Sequence, residues 1–210
     1  QANPGNQVII FTASSKSWNL KALIDNGADD YYLKESPLFH FSKEESKENA
    51  KHLVKTIGYC YRRSYLRKSY KLVEGIKENI NASPRLNENN KKETIAQLDM
   101  AFHQLLKITG TNNKNSFAYT FVAFEFVIPL LCKHLSAVGS NTPKKFEDLI
   151  NTQLATSNTE LIYDGKQMIL ARNAYMHGNK TALKSNFSFV FHAEGILKIL
   201  EVLDKVSQLL

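Results

Sequence analysis

The chain has 210 residues and 43% hydrophobic content, enough for a buried core in one or two domains and too apolar for a disordered tail. Its two cysteines, Cys60 and Cys132, lie in helical patterns and not at CxxC spacing; this excludes a disulfide scaffold and a zinc site and predicts a reducing, cytoplasmic setting. The net charge is +7, and the segment Lys43 to Lys77 alone sets ten Lys/Arg against four Glu, a net of +6.

Residues 1–37 are α/β in character. Val8-Ile9-Ile10-Phe11 is a four-residue apolar run of the kind found in buried parallel strands, and it ends in Thr12-Ala13-Ser14. Trp18 to Asn26 has helical spacing, with Gly27 placed as a C-terminal cap. Tyr31-Tyr32-Leu33 reads as a second short strand, ending at Lys34. This order of strand-Thr-Ala, helix, Gly-Ala-Asp and strand-Lys resembles the last third of a response-regulator receiver (CheY-like) domain.

The resemblance implies that Thr12 and Lys34 are remnants of a phosphoryl site, a hydroxyl and an ammonium at the carboxyl ends of neighbouring strands. Glu35 and Ser36 stand before Pro37, where the family usually has Pro directly after the Lys. The acidic pair that binds Mg²⁺ and the phosphoacceptor aspartate would precede Gln1. The expectation is therefore a complete receiver upstream in the natural protein, served by a sensor histidine kinase. Mg²⁺ would belong to that complete domain, and no cofactor is expected in this chain. Two strands and one helix cannot cover both faces of a sheet, so this piece is not expected to fold as a receiver by itself or to take phosphate.

From about residue 38 the pattern is helical, and the predicted architecture is a mainly α bundle of five to six helices behind the short strand-helix-strand fragment. The first helix is expected over Lys43 to Asn81, opened by the capping box Ser42/Glu45. Its apolar positions Leu53, Val54, Ile57, Tyr61, Tyr65, Leu72 and Ile76 suggest a core face. Tyr59, Tyr61, Tyr65 and Tyr70 interleave with Arg62, Arg63, Arg67 and Lys68, a combination that can also track a phosphate backbone and stack bases. A second helix is expected over Asn87 to Ile108, with Asn112 to Asn115 as a loop. The third, Ser116 to Ala137, is apolar around most of its circumference and should be kinked by Pro129. Its most apolar part, Phe117 to Cys132, holds Glu125 and is shorter than the ~20 residues that span a bilayer, so a buried core helix is expected and no membrane. Thr142-Pro143 opens a short helix to about Leu154. A helix from Asn158 or Thr159 stops at Gly178, Asn179 to Asn186 reads as a loop, and Ala193 to Leu210 is a final amphipathic helix.

Near the end of the fifth of these helices stands Arg172-Asn173-Ala174-Tyr175-Met176-His177, followed by Gly178. Asn173 and His177 are four apart and share a helix face, with Arg172 flanking them. The pattern R-N-x-x-x-H in a helix-rich chain resembles the HEPN superfamily, compact helical bundles whose ribonuclease members carry R-x(4–6)-H. The resemblance covers about Phe39 to Leu210 and implies a metal-independent endoribonuclease acting as a homodimer. In it His177 moves the proton, Arg172 neutralises the phosphorane and Asn173 orients His177 or holds a phosphate oxygen. A single His does not serve both proton transfers, which is why the family pairs two motifs across a two-fold axis. A structural reading of the same residues stands beside it. His-Gly is a good helix stop, and Asn173 and His177 can be a capping pair. That reading makes the bundle a non-enzymatic signalling and dimerisation module with a vestigial or nucleotide-binding motif. His40, His52, His103, His134 and His192 read as ordinary polar residues, and no compact helix-turn-helix pattern is present.

Overall fold

The computed structural model describes residues 8–12, 22, 28, 30–34, 40–62, 64–108 and 114–210. The protein is mainly helical with a small two-stranded sheet, and it divides into two compact units, Gln1–Arg67 and Lys68–Leu210.

In the first unit β1 (Ile9–Thr12) and β2 (Asp30–Leu33) pair in parallel, in a register that runs from Ile9 opposite Asp30 to Thr12 opposite Leu33. The ladder closes with Lys34 N donating to Thr12 O at 2.7 Å. The predicted helix Trp18 to Asn26 and its Gly27 cap lie outside the described residues, apart from Ala22, which is helical. Helix α1 (Lys43–Arg62) begins where the capping box places it: Ser42 N donates to Glu45 Oε2 at 2.8 Å, and Glu45 N to Ser42 Oγ at 3.2 Å. The Glu45 carboxyl is held below its usual range by the hydrogen bonds from Ser42. Asn49 Nδ2 donates to Leu33 O at 2.9 Å and so ties α1 to the end of β2.

The single helix expected from Lys43 to Asn81 is two, α1 and α2 (Tyr65–Ala82). The interruption is a turn in which Ser64 N reaches only three residues back, to Tyr61 O at 3.1 Å. No Gly or Pro announces it, but Ser competes for backbone groups and weakens the helix there. The expected core face is also corrected. Val54, Ile57 and Tyr61 are exposed, while Thr56 and Cys60 are buried, so the covered stripe of α1 is rotated from the one its largest apolar residues suggest.

The second unit holds the rest of α2 and a bundle. Helix α3 (Glu88–Leu106) is capped by Asn87, which accepts from Asn90 N at 2.9 Å. Helix α4 (Lys114–Glu125) and α5 (Val127–His134) replace the one long apolar helix. The break falls at Phe126. Pro129 has no N–H for the Glu125 carbonyl four residues back, so the ladder is interrupted one turn before the proline. The segment Lys114–His134 is apolar and long enough to cross a membrane by length and composition, and 56% of its most apolar stretch is buried inside the bundle. Phe121, Phe124, Ile128 and Leu131 are fully buried there.

Asn141 caps α6 (Thr142–Asp148), which continues as one wider π turn over Leu149–Gln153. Helix α7 (Thr159–Met176) carries the R-N-x-x-x-H motif. The stretch expected to be a loop contains α8 (Lys180–Ser185), whose six residues are too few to show a helical period. A 3₁₀ turn (Ser188–Phe191) leads into α9 (Ala193–Ser207), which buries Ile196, Ile199, Leu200 and Leu203. Helices α6 and α7 come close because Gly165 has no side chain: the Phe146 ring occupies the space a Cβ would need. Both cysteines are free and buried, and burial pushes the Cys132 thiol up to about 12.

Candidate functional site at the end of a bundle helix

Helix α7 is closed at both ends. Asn158 accepts from Leu161 N at 2.9 Å. At the other end Gly178 takes the left-handed conformation, φ 64°. Gly178 N donates to Tyr175 O at 3.1 Å and Asn179 N to Ala174 O at 2.8 Å, the paired bonds of a Schellman stop. Asn179 at once caps α8 by accepting from Ala182 N at 3.1 Å. His177 is the last residue before this stop, and its N–H still bonds Asn173 O at 2.9 Å. The motif therefore sits at a helix end whose length and direction are fixed on both sides.

The two faces of α7 differ. Tyr163, Leu170, Asn173 and His177 follow one another at helical spacing. Tyr163 is 64% and Leu170 43% exposed, His177 is exposed and Asn173 partly so. Arg172 lies two residues past Leu170, a rotation of about 200°, on the buried side with Leu161, Gly165 and Met168. The helix thus brings Asn173 and His177 onto one face and puts Arg172 on the other.

Arg172 faces a carboxylate that only the fold reveals. Its Nε donates to Glu125 Oε2 at 2.9 Å and its Nη2 to Glu125 Oε1 at 3.5 Å. The Glu125 side chain is 1% exposed and that of Arg172 23%. Burial pushes the Glu125 carboxyl up, and the charge and hydrogen bonds of Arg172 oppose that rise without cancelling it. Nη1 takes no part in the pair, so one end of the guanidinium fork is uncommitted to Glu125. Tyr175 packs edge-on against Tyr119 (ring centroids 5.8 Å apart) and Phe191 (5.9 Å). Burial and then the Tyr119 hydroxyl raise its phenol above the ordinary value.

Glu125 and Tyr119 are the site residues that sequence reasoning missed. Glu125 did leave a signal, as the lone carboxylate within the most apolar run. Its partner is 47 residues away, which no local spacing discloses.

The other sequence-derived candidates are distributed as follows. Thr12 and Lys34 lie side by side at the carboxyl ends of β1 and β2, and the Lys34 ammonium stands over the Phe11 ring, 5.5 Å from its centre. Arg63 and the Arg62 side chain lie outside the described residues. Arg67 and Lys68 are exposed, and Lys68 Nζ meets Glu201 Oε1 at 3.4 Å. Such a surface pair contributes little stability, and the lysine stays available to an anion. Among the described residues no three His, Cys, Asp or Glu side chains gather as a metal site requires. No protein family, curated protein or solved structure matches this chain.

Proposed function

We propose that the helical bundle is the RNA-handling output module of a two-component response regulator, working as a homodimer and cleaving or binding RNA without metal. The resemblance of Arg172-Asn173-x-x-x-His177 to the HEPN motif supports this, and one observation carries it. An exposed imidazole ends a firmly capped helix, on a face that also bears exposed Tyr163 and Leu170. Exposed apolar residues in line with polar ones mark an interaction surface. A second copy meeting this face would bring two His177 together, one to take the 2′-hydroxyl proton and one to protonate the leaving oxygen. Arg172 would serve the phosphorane charge from the other side of α7, through the Nη1 that Glu125 leaves uncommitted. Products would end in a 2′,3′-cyclic phosphate. Residues 1–37 are read as the end of the receiver, with Thr12 and Lys34 as remnants of its phosphoryl site and a sensor kinase as the distant partner.

A second reading is favoured by one feature. Arg172 lies on the buried side of α7 with two of its nitrogens on Glu125, as a structural ion pair would. In that case the module dimerises and signals without chemistry. Cleavage of a mixed RNA pool in EDTA separates the two. The nuclease reading expects cleavage that His177→Ala abolishes while its melting curve stays unchanged, with cyclic-phosphate ends. Equal cleavage by parent and variant, no cleavage, or linear-phosphate products made only with Mg²⁺ would refute it and leave the signalling module.

A further inference from the structure

Between α3 and α4 runs an open groove of about 580 Å³. Its walls include three large apolar side chains left in solvent: Tyr119 at 64%, Phe126 at 50% and Met100 at 48% exposure. Tyr119 and Phe126 are seven residues apart, so their Cα atoms stand roughly 10 Å apart along the helical path. Val122 and Ala123 between them leave the floor low. The polar groups on the walls are those of Gln97, Gln104, Lys107, Ser116 and Thr120, with the Tyr119 hydroxyl. The Gln97 Nε2 donates to Ala123 O at 2.7 Å, which fixes its amide with the carbonyl oxygen as a remaining acceptor. Among the described lining residues there is one lysine and no carboxylate. The groove also joins the motif: Tyr119 is both its wall and the edge-on neighbour of Tyr175, and Phe126 directly follows Glu125.

We propose that this groove is a nucleobase subsite for single-stranded RNA. The inference rests on the RNA-handling reading above and adds which part of the substrate is held, and where. Aromatic faces accept any unpaired base by stacking, amides meet its edge, and a cation without neighbouring carboxylates suits the phosphate that follows. A base seated on Tyr119 places its strand beside Tyr175 and the Arg172 end of the motif. Another protein or a second copy would instead be expected to match an uncharged apolar trough, and Lys107 with two amides fits a nucleotide better. Paired bases are excluded, because a duplex does not present base faces.

The test is fluorescence anisotropy of a fluorescein-labelled ten-nucleotide mixed-sequence RNA, 2′-O-methylated so that it cannot be cleaved through its 2′-hydroxyl, with the full chain in EDTA, beside the same RNA in duplex form. Tyr119→Ala and Phe126→Ala should each weaken single-strand binding roughly tenfold, the loss of one stacked base. They should leave duplex binding unchanged, and Tyr119→Trp should retain affinity. Both positions are solvent-exposed, so the melting temperature should hold. Single-strand binding equal in parent, Tyr119→Ala and Phe126→Ala would overturn the groove and leave the RNA reading standing. A dimer that falls apart in sedimentation on either substitution would overturn it in favour of an interface between copies. A parent chain that binds no RNA would remove the RNA reading itself.

Discussion

The Glu125–Arg172 pair makes the sharpest prediction. Replace Arg172 with Met, which fills similar volume and cannot pair. Glu125 is then a carboxylate with 1% side-chain exposure and no cation beside it. Removing one partner of a buried pair costs about 3–5 kcal/mol at pH 7.5, because the remaining charge is stranded. For a chain of this length that lowers the melting midpoint by roughly 10 °C.

The cost should shrink with acid. Burial already raises the Glu125 pKa above 4.5 in the folded protein, and loss of Arg172 removes the charge and hydrogen bonds that lower it. An acid whose folded pKa lies above its unfolded one stabilises the fold below the unfolded value. That contribution disappears as pH rises through the folded value. Arg172→Met should therefore regain stability between pH 7.5 and pH 5, in contrast to acid denaturation. Adding Glu125→Gln should restore most of the loss at pH 7.5 and flatten the pH dependence. Urea melts followed by helix circular dichroism at both pH values measure all of this. A loss under about 0.5 kcal/mol, or a full loss that neither acid nor Glu125→Gln relieves, would refute the account of a stranded buried charge.

Three further outcomes follow from the geometry. Gly165→Ala should destabilise by about 1–3 kcal/mol in the same melts despite alanine's better helix propensity, because the Phe146 ring occupies the Cβ position; a gain would mean that ring yields easily. Gly178→Ala should cost about 1–2 kcal/mol from left-handed strain alone, since no atom lies within 4 Å of the new methyl. Gly178→Asn should recover part of that cost. Asn158→Ala should cost about 1 kcal/mol through loss of the cap on Leu161 N, and Asn158→Ser should restore most of it.

Much of this architecture could be read from local chemistry. The capping box at Ser42, the cap at Asn158, the Thr142-Pro143 helix start and the Gly178 stop each depend on residues within one turn, and each lies where its sequence signal stands. Three features could not be read. The turn at Ser64 interrupts a helical pattern with no Gly or Pro within five residues of it. Helix α8 is shorter than the two turns a periodic pattern needs, and its start is visible only as the Asn179 cap. The side of α7 on which Arg172 lies is set by Glu125, a partner on another helix. In the candidate site, the shared face of Asn173 and His177 is a property of spacing and was legible. The half-buried place of Arg172, the exposure of Tyr163 and Leu170, and the Tyr119–Tyr175 contact are properties of packing.

The double closure of α7 also decides what kinds of change the motif can absorb. Asn158 fixes where the helix begins, Gly178 where it ends, and Asn179 starts the next element without a spare residue. No slack remains in which to lose or gain a position. One inserted residue between Asn158 and Gly178 would turn everything beyond it by 100° and carry His177 off its face or Arg172 off Glu125. Substitutions along the exposed side, in contrast, leave that bearing intact. The segment should thus tolerate drift in composition while remaining constant in length, and a library that varies its length by single residues should recover only the native count.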